Sequence, residues 1–226
     1  MRVAELETTI NGEFGPFYQG EIIQLLRLQG CNLNCSYCDA TQAQKYIEGD
    51  EYSMGGILAI LIKNNPRNLL ITGGEPLPQL NSLDSIDSFM NVLLENKFTT
   101  SIETNGSILP NFNALMLNFV VDYKLPSSGE MDEMHPIHVY HKYFPIDRTW
   151  WKFVIGDLED YEIAKEVMFT MKEWGYATFG FSPMIRDVDD QVLTASLMHW
   201  MIQDELFLPN VKAILNLQVH KFINAK

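Results

Sequence analysis

IIQLLRLQGCNLNCSYCDA, residues 22–40, joins a run of branched aliphatics to a short segment that holds all three cysteines of the chain. The first seven residues read as a largely buried β-strand, because Ile and Leu dominate and Gly30 breaks the pattern soon after. Cys31, Cys35 and Cys38 follow directly, in the spacing CxxxCxxC. Three thiols cannot form a closed set of disulfides, and their closeness suits one shared ligand better than a staple between distant parts of a fold. That usage favours a reducing compartment, and hence a cytoplasmic setting.

Outward from this strand, similar runs recur at 68–73 (NLLITG), 98–104 (FTTSIET), 119–125 (FVVDYKL), 150–156 (WWKFVIG), 176–182 (YATFGFS) and 212–219 (KAILNLQV). Longer segments with helical character lie between several of them, at 52–64, 82–96, 157–174 and 188–205. The alternation is that of an α/β protein with parallel strands and crossover helices. A closed eight-unit barrel normally needs about 250 residues. The 226 residues present therefore predict an incomplete, TIM-like barrel in one domain, 1–226. Residues 1–21 read as an N-terminal extension on the substrate side, and 126–148 as a lid or interface loop. Ligands of such folds sit beyond the C-terminal strand ends, so motifs placed there carry most weight.

Composition narrows the partners. The chain carries 29 acidic against 16 basic residues, a formal charge of -13, which opposes broad binding to nucleic acid or to an anionic membrane. The N-terminus lacks the basic and apolar regions of a secretory signal, and no stretch reaches the roughly eighteen apolar residues of a membrane span. Small-molecule chemistry is the expectation.

Thiolates favour soft metal centres, and one curled loop can bring the three of them to a cluster. A four-iron, four-sulfur cluster held by only three cysteines keeps one iron open for reaction. Structural zinc would need a fourth ligand, for which His135, His138 and His141 are the candidates, and CSYC alone could serve as a redox dithiol. The proline within HPIHVYH argues against a regular metal-binding surface there. After the second run comes TGGEP, 72–76, in which Gly73 and Gly74 allow a sharp turn with close backbone approach and Glu75 can accept from an ammonium group.

CNLNCSYC and GGEP together resemble the radical S-adenosylmethionine superfamily. That resemblance implies a partial barrel of the superfamily's type, with S-adenosylmethionine chelated to the open iron through its amino and carboxylate groups and cleaved by one electron to a 5'-deoxyadenosyl radical. Within the superfamily the chain resembles the 7-carboxy-7-deazaguanine synthase family, through INGE (10–13), RLQGC (27–31), ETNG (103–106), DYKLPSSG (122–129), KFVIG (152–156), FSP (181–183) and LQVHK (217–221). The implied reaction is ring contraction of 6-carboxy-5,6,7,8-tetrahydropterin to 7-carboxy-7-deazaguanine with loss of ammonia, S-adenosylmethionine being used catalytically.

The resemblance also assigns roles. Glu13 meets the pterin ring and Arg27 its carboxylate, with His220 and Lys221 near the substrate at the end of the last strand. Gly73, Gly74, Glu75, Glu103, Asn105, Lys124, Ser127 and Ser128 lie toward the cofactor. Mg2+ would bind beside the substrate through Asp39, although Ala40 stands where the family has a hydroxyl residue, so that only Thr41 or water could complete the set. Gln19 is a loop residue or a pocket ligand. A flavodoxin-like reductant and a homodimer are further implications. The competing functions are a glycyl-radical activase, which would consume its cofactor and need a protein partner, and a non-enzymatic iron–sulfur electron carrier.

Overall fold

The computed structural model describes residues 1–185, 192–207 and 212–222, with the side chains of His220 and Phe222 outside that description. Nine strands form one open sheet: β1 (Arg2–Ile10), β2 (Ile22–Leu28), β3 (Asp50–Glu51), β4 (Asn68–Gly73), β5 (Thr99–Thr104), β6 (Asn118–Tyr123), β7 (Thr149–Ile155), β8 (Thr178–Pro183) and β9 (Ala213–Leu215). Their spatial order is β3-β1-β2-β4-β5-β6-β7-β8-β9. From β2 to β9 every neighbouring pair is parallel, whereas β1 runs antiparallel to both β2 and β3. The sheet does not close, as the length of the chain requires.

The helices are α1 (Met54–Lys63), α2 (Leu77–Asn81), α3 (Ile86–Glu95), α4 (Ile137–Tyr140), α5 (Leu158–Glu173), α6 (Val192–Gln203) and α7 (Val219–Phe222). Ser53 caps α1 by accepting from Gly56 N, and Asp157 caps α5 by accepting from Asp160 N, so both begin where their sequences supply an oxygen to an orphaned amide.

Strand periodicity divides the sheet into two unlike faces. Leu26, Leu28, Ile71, Ile102, Phe119, Val121, Tyr123, Trp151, Phe153, Phe179 and Phe181 turn toward the helices and build one apolar core. The intervening positions carry Arg27, Glu103, Asp122 and Lys152, one charge on each of four strands, and these turn to the concave side. Segment 126–148 is tied to the core: Tyr140 and Phe144 are buried, with Tyr140 against Trp151 at 5.1 Å and Phe144 edge-on to Phe119 at 5.0 Å.

Three expectations change. Residues 2–10 of the supposed extension are a strand of the sheet, whose alternating pattern RVAELETTI pairs along β2 from Val3 opposite Leu28 to Ile10 opposite Ile22. The helix expected at 82–96 begins only at Ile86, as α3; before it a separate short helix, α2, starts after Pro76 and ends where Ser82 Oγ donates to Gln79 O. The last strand stops at Leu215, so His220 and Lys221 belong to α7 rather than to a strand end. Residues 188–191 of the fourth expected helix lie outside the described residues.

Candidate active site

The cysteine loop leaves the end of β2 and is braced by the turns that follow β4 and β5. A Cβ on Gly74 would lie 2.5 Å from Gly30 O, 2.6 Å from Ala43 O and 2.7 Å from Cys31 Cβ, so only glycine lets this turn press against the loop. Glu75 N donates to Gly30 O (2.7 Å) and Gly74 N to Leu28 O (3.2 Å). Gly73 is packed equally closely against Leu28, where a Cβ would meet the carbonyl oxygen at 2.4 Å. Asn105, after β5, donates to Asn32 Oδ1 (3.2 Å) and lies 3.9 Å from Cys31 Sγ. The PSSG turn supports the far side: Ser127 O accepts from Ser36 Oγ (2.6 Å) and Ser128 O from Ser36 N (3.0 Å). The hydroxyl of Ser128 is turned back onto Leu125 O.

Cys31, Cys35 and Cys38 are free and half-buried. Burial pushes the Cys35 thiol up to about 11, with Lys124 pulling the other way, so a soft metal must displace its proton. Among the described residues no three His, Cys, Asp or Glu side chains converge on a single ion, these cysteines included. A zinc ion would gather all its ligands on one atom, whereas a cubane cluster places each thiolate on a separate iron and holds them farther apart. The three-thiol donor set and its glycine-lined cradle fit the cluster. The three histidines of HPIHVYH do not converge either: His135 Nε2 pairs with Ser107 O (3.0 Å), His138 is exposed, and the His141 ring lies 5.0 Å from that of Trp174.

Glu75 is fully buried at the join of β4 and β5. Oε1 accepts from Leu77 N (3.1 Å) and Thr104 Oγ1 (2.8 Å), and Oε2 from Asn105 N (2.7 Å). Burial pushes its carboxyl up to about 7, opposed by these three donors. One lone pair of Oε2 remains for a further donor.

Below the loop lies a floor of paired charges. Lys152 Nζ donates to Glu13 Oε2 at 2.8 Å and sits 3.3 Å from Asp122 Oδ2, which also holds Lys124 Nζ at 3.1 Å. Lys124 in turn lies over the Tyr37 ring at 5.5 Å, linking this floor to the cysteine loop. Asn216 Nδ2 donates to Glu13 Oε2 (3.2 Å) and Gln218 Nε2 to Glu13 Oε1 (2.8 Å). Burial raises Glu103, while the Lys152 and Arg27 charges pull it down, which places Glu103 in the same cluster. For Lys152, the carboxylates of Glu13, Asp122 and Glu103 outweigh burial and hold the ammonium well above its ordinary value. Arg27 donates through Nε to Glu5 Oε2 (2.8 Å), and its terminal nitrogens make no hydrogen bond among the described residues.

The segment that carries Glu13 is anchored at both ends. Phe14 fills the space left by Gly180, where a Cβ would lie 2.4 Å from its ring. Val219 N donates to Gly12 O (2.8 Å), and Gln19 Nε2 donates to Leu217 O (2.6 Å) and Asn216 Oδ1 (2.9 Å), so Gln19 is a loop fastener. Asp39 Oδ2 meets Lys221 Nζ at 3.2 Å. The side chain of His220 lies outside the described residues.

The structure thus brings Glu13, Arg27 and Glu103 together on the floor, and Cys31, Gly73, Gly74, Glu75 and Asn105 around the loop. Lys152, Asp122, Asn216, Gln218 and Glu5 are additions that sequence reasoning did not name. For Lys152 and Asp122 the signal was present: the expected strands that hold them each carry a charged residue amid apolar neighbours, a pattern with no place in a core buried on both faces.

Residues 25–123 match the model of the radical SAM superfamily. A 7-carboxy-7-deazaguanine synthase of Koribacter versatilis is 34% identical over 236 residues, covering 99% of this chain and 96% of the relative. One from Clostridium acetobutylicum is 30% identical over 229 residues, covering 98% and 95%. Among solved structures, QueE from Escherichia coli superposes with a TM-score of 0.66 at 20% identity, over 97% of this chain and 94% of that one.

Proposed function

The chain belongs to the 7-carboxy-7-deazaguanine synthase family of the radical S-adenosylmethionine superfamily, and from this premise we propose how its residues carry out the family's reaction. It is an enzyme that contracts the ring of 6-carboxy-5,6,7,8-tetrahydropterin to give 7-carboxy-7-deazaguanine and ammonia. The observation that carries the reading is the apposition, through Lys124, of a three-cysteine loop and a floor of paired charges at one end of a parallel sheet. An electron carrier has no use for such a floor, and the near full-length kinship disfavours an activase.

Cys31, Cys35 and Cys38 would hold the cluster, and Glu75, Asn105 and the Gly73–Gly74 turn would face S-adenosylmethionine. When bound, cluster and cofactor supply one-electron chemistry that takes a hydrogen atom from C6 of the substrate and later returns it. The chain's own work is placement. The unshared edge of the Arg27 guanidinium can hold the substrate carboxylate in two bonds. Glu13, paired with Lys152 and oriented by Asn216 and Gln218, accepts from the ring's donors. Glu103 lines the same space, while Lys124, Ser127 and Ser128 brace the loop from below. Lys221, and His220 beside it, close the substrate side.

The finer parts of the reading rest on kinship and chemistry. Free thiols support a reducing, cytoplasmic setting. An exposed apolar group, Leu94, Leu115 and Met116, supports a second copy of the chain as partner. The electron donor would be flavodoxin-like. Among the described residues no helix is long and apolar enough to cross a membrane.

The deciding experiment gives the reconstituted, reduced protein S-adenosylmethionine and 6-carboxy-5,6,7,8-tetrahydropterin under anaerobic conditions and follows products by mass spectrometry. The expected result is 7-carboxy-7-deazaguanine without stoichiometric 5'-deoxyadenosine. Accumulating 5'-deoxyadenosine with no ring-contracted product would reject the substrate.

A further inference from the structure

Asp39 is the acidic residue that kinship implies for a magnesium ion, and its surroundings do not suit that ion. Mg2+ takes six oxygens in near-ideal octahedral order. Ala40 offers no side-chain oxygen, and its carbonyl already accepts from Ala43 N at 2.9 Å. Thr41 opens a short 3-10 turn in which its carbonyl accepts from Gln44 N at 3.3 Å. Asp39 itself meets a resident cation, Lys221 Nζ at 3.2 Å.

Lys221 is held at that point by the same segment that holds the floor. Its amide donates to Gln218 O (3.0 Å), its Nζ reaches Ile185 O (3.5 Å), and α7 begins with Val219 bonded to Gly12 O (2.8 Å). Its side chain is only 19% exposed, so the ammonium is fixed beside the segment that carries Glu13.

Resting on the substrate reading above, we propose that the Lys221 ammonium takes the place of the divalent cation beside Asp39, so that this enzyme orients the substrate carboxylate with Lys221 and Arg27 and needs no magnesium. A lysine delivers one charge and three donors at a fixed point, which is enough to bind a carboxylate though not to chelate it.

The test uses the reconstituted holoenzyme in buffers freed of divalent ions, with and without added Mg2+. Steady-state rates and Mn2+ uptake, read from the loss of the free-ion EPR signal, are followed with substrate present. The expected result is turnover that changes less than about twofold on adding Mg2+, with no stoichiometric Mn2+ uptake. Lys221→Met is expected to raise KM at least tenfold and Lys221→Arg to restore most of it, while Lys221→Met with Ala40→Thr gains Mn2+ uptake and an Mg2+-dependent rate. Product formed only with Mg2+, or stoichiometric Mn2+ bound by the unmodified enzyme, overturns the proposal and leaves the substrate reading intact. An unchanged KM in Lys221→Met overturns it equally. No product under any condition would instead bring down the substrate reading, and this proposal with it.

Discussion

Removing the Lys152 ammonium would leave Glu13 and Asp122 without the cation they share in a buried place. Breaking a buried pair from one side costs about 3–5 kcal/mol, so Lys152→Met should lower the urea midpoint by a corresponding amount. Adding Glu13→Gln to that variant should return part of the loss, which equilibrium unfolding of the two would show. Arg27→Gln tests the proposed contact with the substrate carboxylate. Loss of a hydrogen-bonded charge pair of about 2 kcal/mol predicts a KM for the carboxylated pterin raised about 30-fold, with S-adenosylmethionine affinity changed less than twofold by equilibrium dialysis. Glu75 gives a pH dependence: its carboxyl titrates near 4.5 ordinarily and about 7 in the fold. The native state therefore holds that proton more tightly, and the stability it contributes is complete below about 4.5 and lost as pH rises through about 7. The melting temperature of the cluster-free protein should fall over that window, and Glu75→Gln should flatten the slope. At this scale the spacing of the cysteines singles them out in the sequence, whereas Glu13, Arg27 and Glu75 are named through the resemblance of INGE, RLQGC and GGEP to the family. The sequence hid Asn216 and Gln218, because their partner Glu13 lies some two hundred positions away.

The turn after β4 shows how one element depends on the backbone of another. Gly74→Ala would thrust a methyl group into two carbonyl oxygens and Cys31 Cβ, none of which is the far end of a flexible side chain. Overpacking of this kind costs about 1–3 kcal/mol, and here the strain falls on the cysteine loop. Iron and acid-labile sulfide per chain should drop by more than about half after reconstitution, while far-ultraviolet circular dichroism stays unchanged. All seven parallel strands were legible as apolar runs, since each keeps apolar residues on the face that packs against the helices. The antiparallel strand β1 was not, because its acidic alternation reads equally well as a polar arm until β2 is there to pair with it. Short α2 and α7 escaped notice because four or five residues hold too little periodicity to register.

Across the molecule, stability and chemistry occupy opposite faces of one sheet. Trp151, fully buried where Tyr140, Phe144 and Tyr176 meet, belongs to the first. Trp151→Ala should lower the unfolding free energy by about 3–5 kcal/mol, measured by chemical denaturation, and leave the cofactor affinity of the folded fraction unchanged. The open barrel was legible because length ruled out a closed one. The tie between the first loop and the last helix was not, since only the fold brings Gly12 and Val219 together. That tie sets an order on the making of the protein. Residues 30–38, 73–75 and 105 leave the ribosome early and can assemble the cysteine loop while synthesis continues, but Glu13 waits for Asn216 and Gln218 before it is fixed. A nascent chain is thus ready to receive iron well before it can recognise a pterin, and the radical source is built ahead of the place that must contain it.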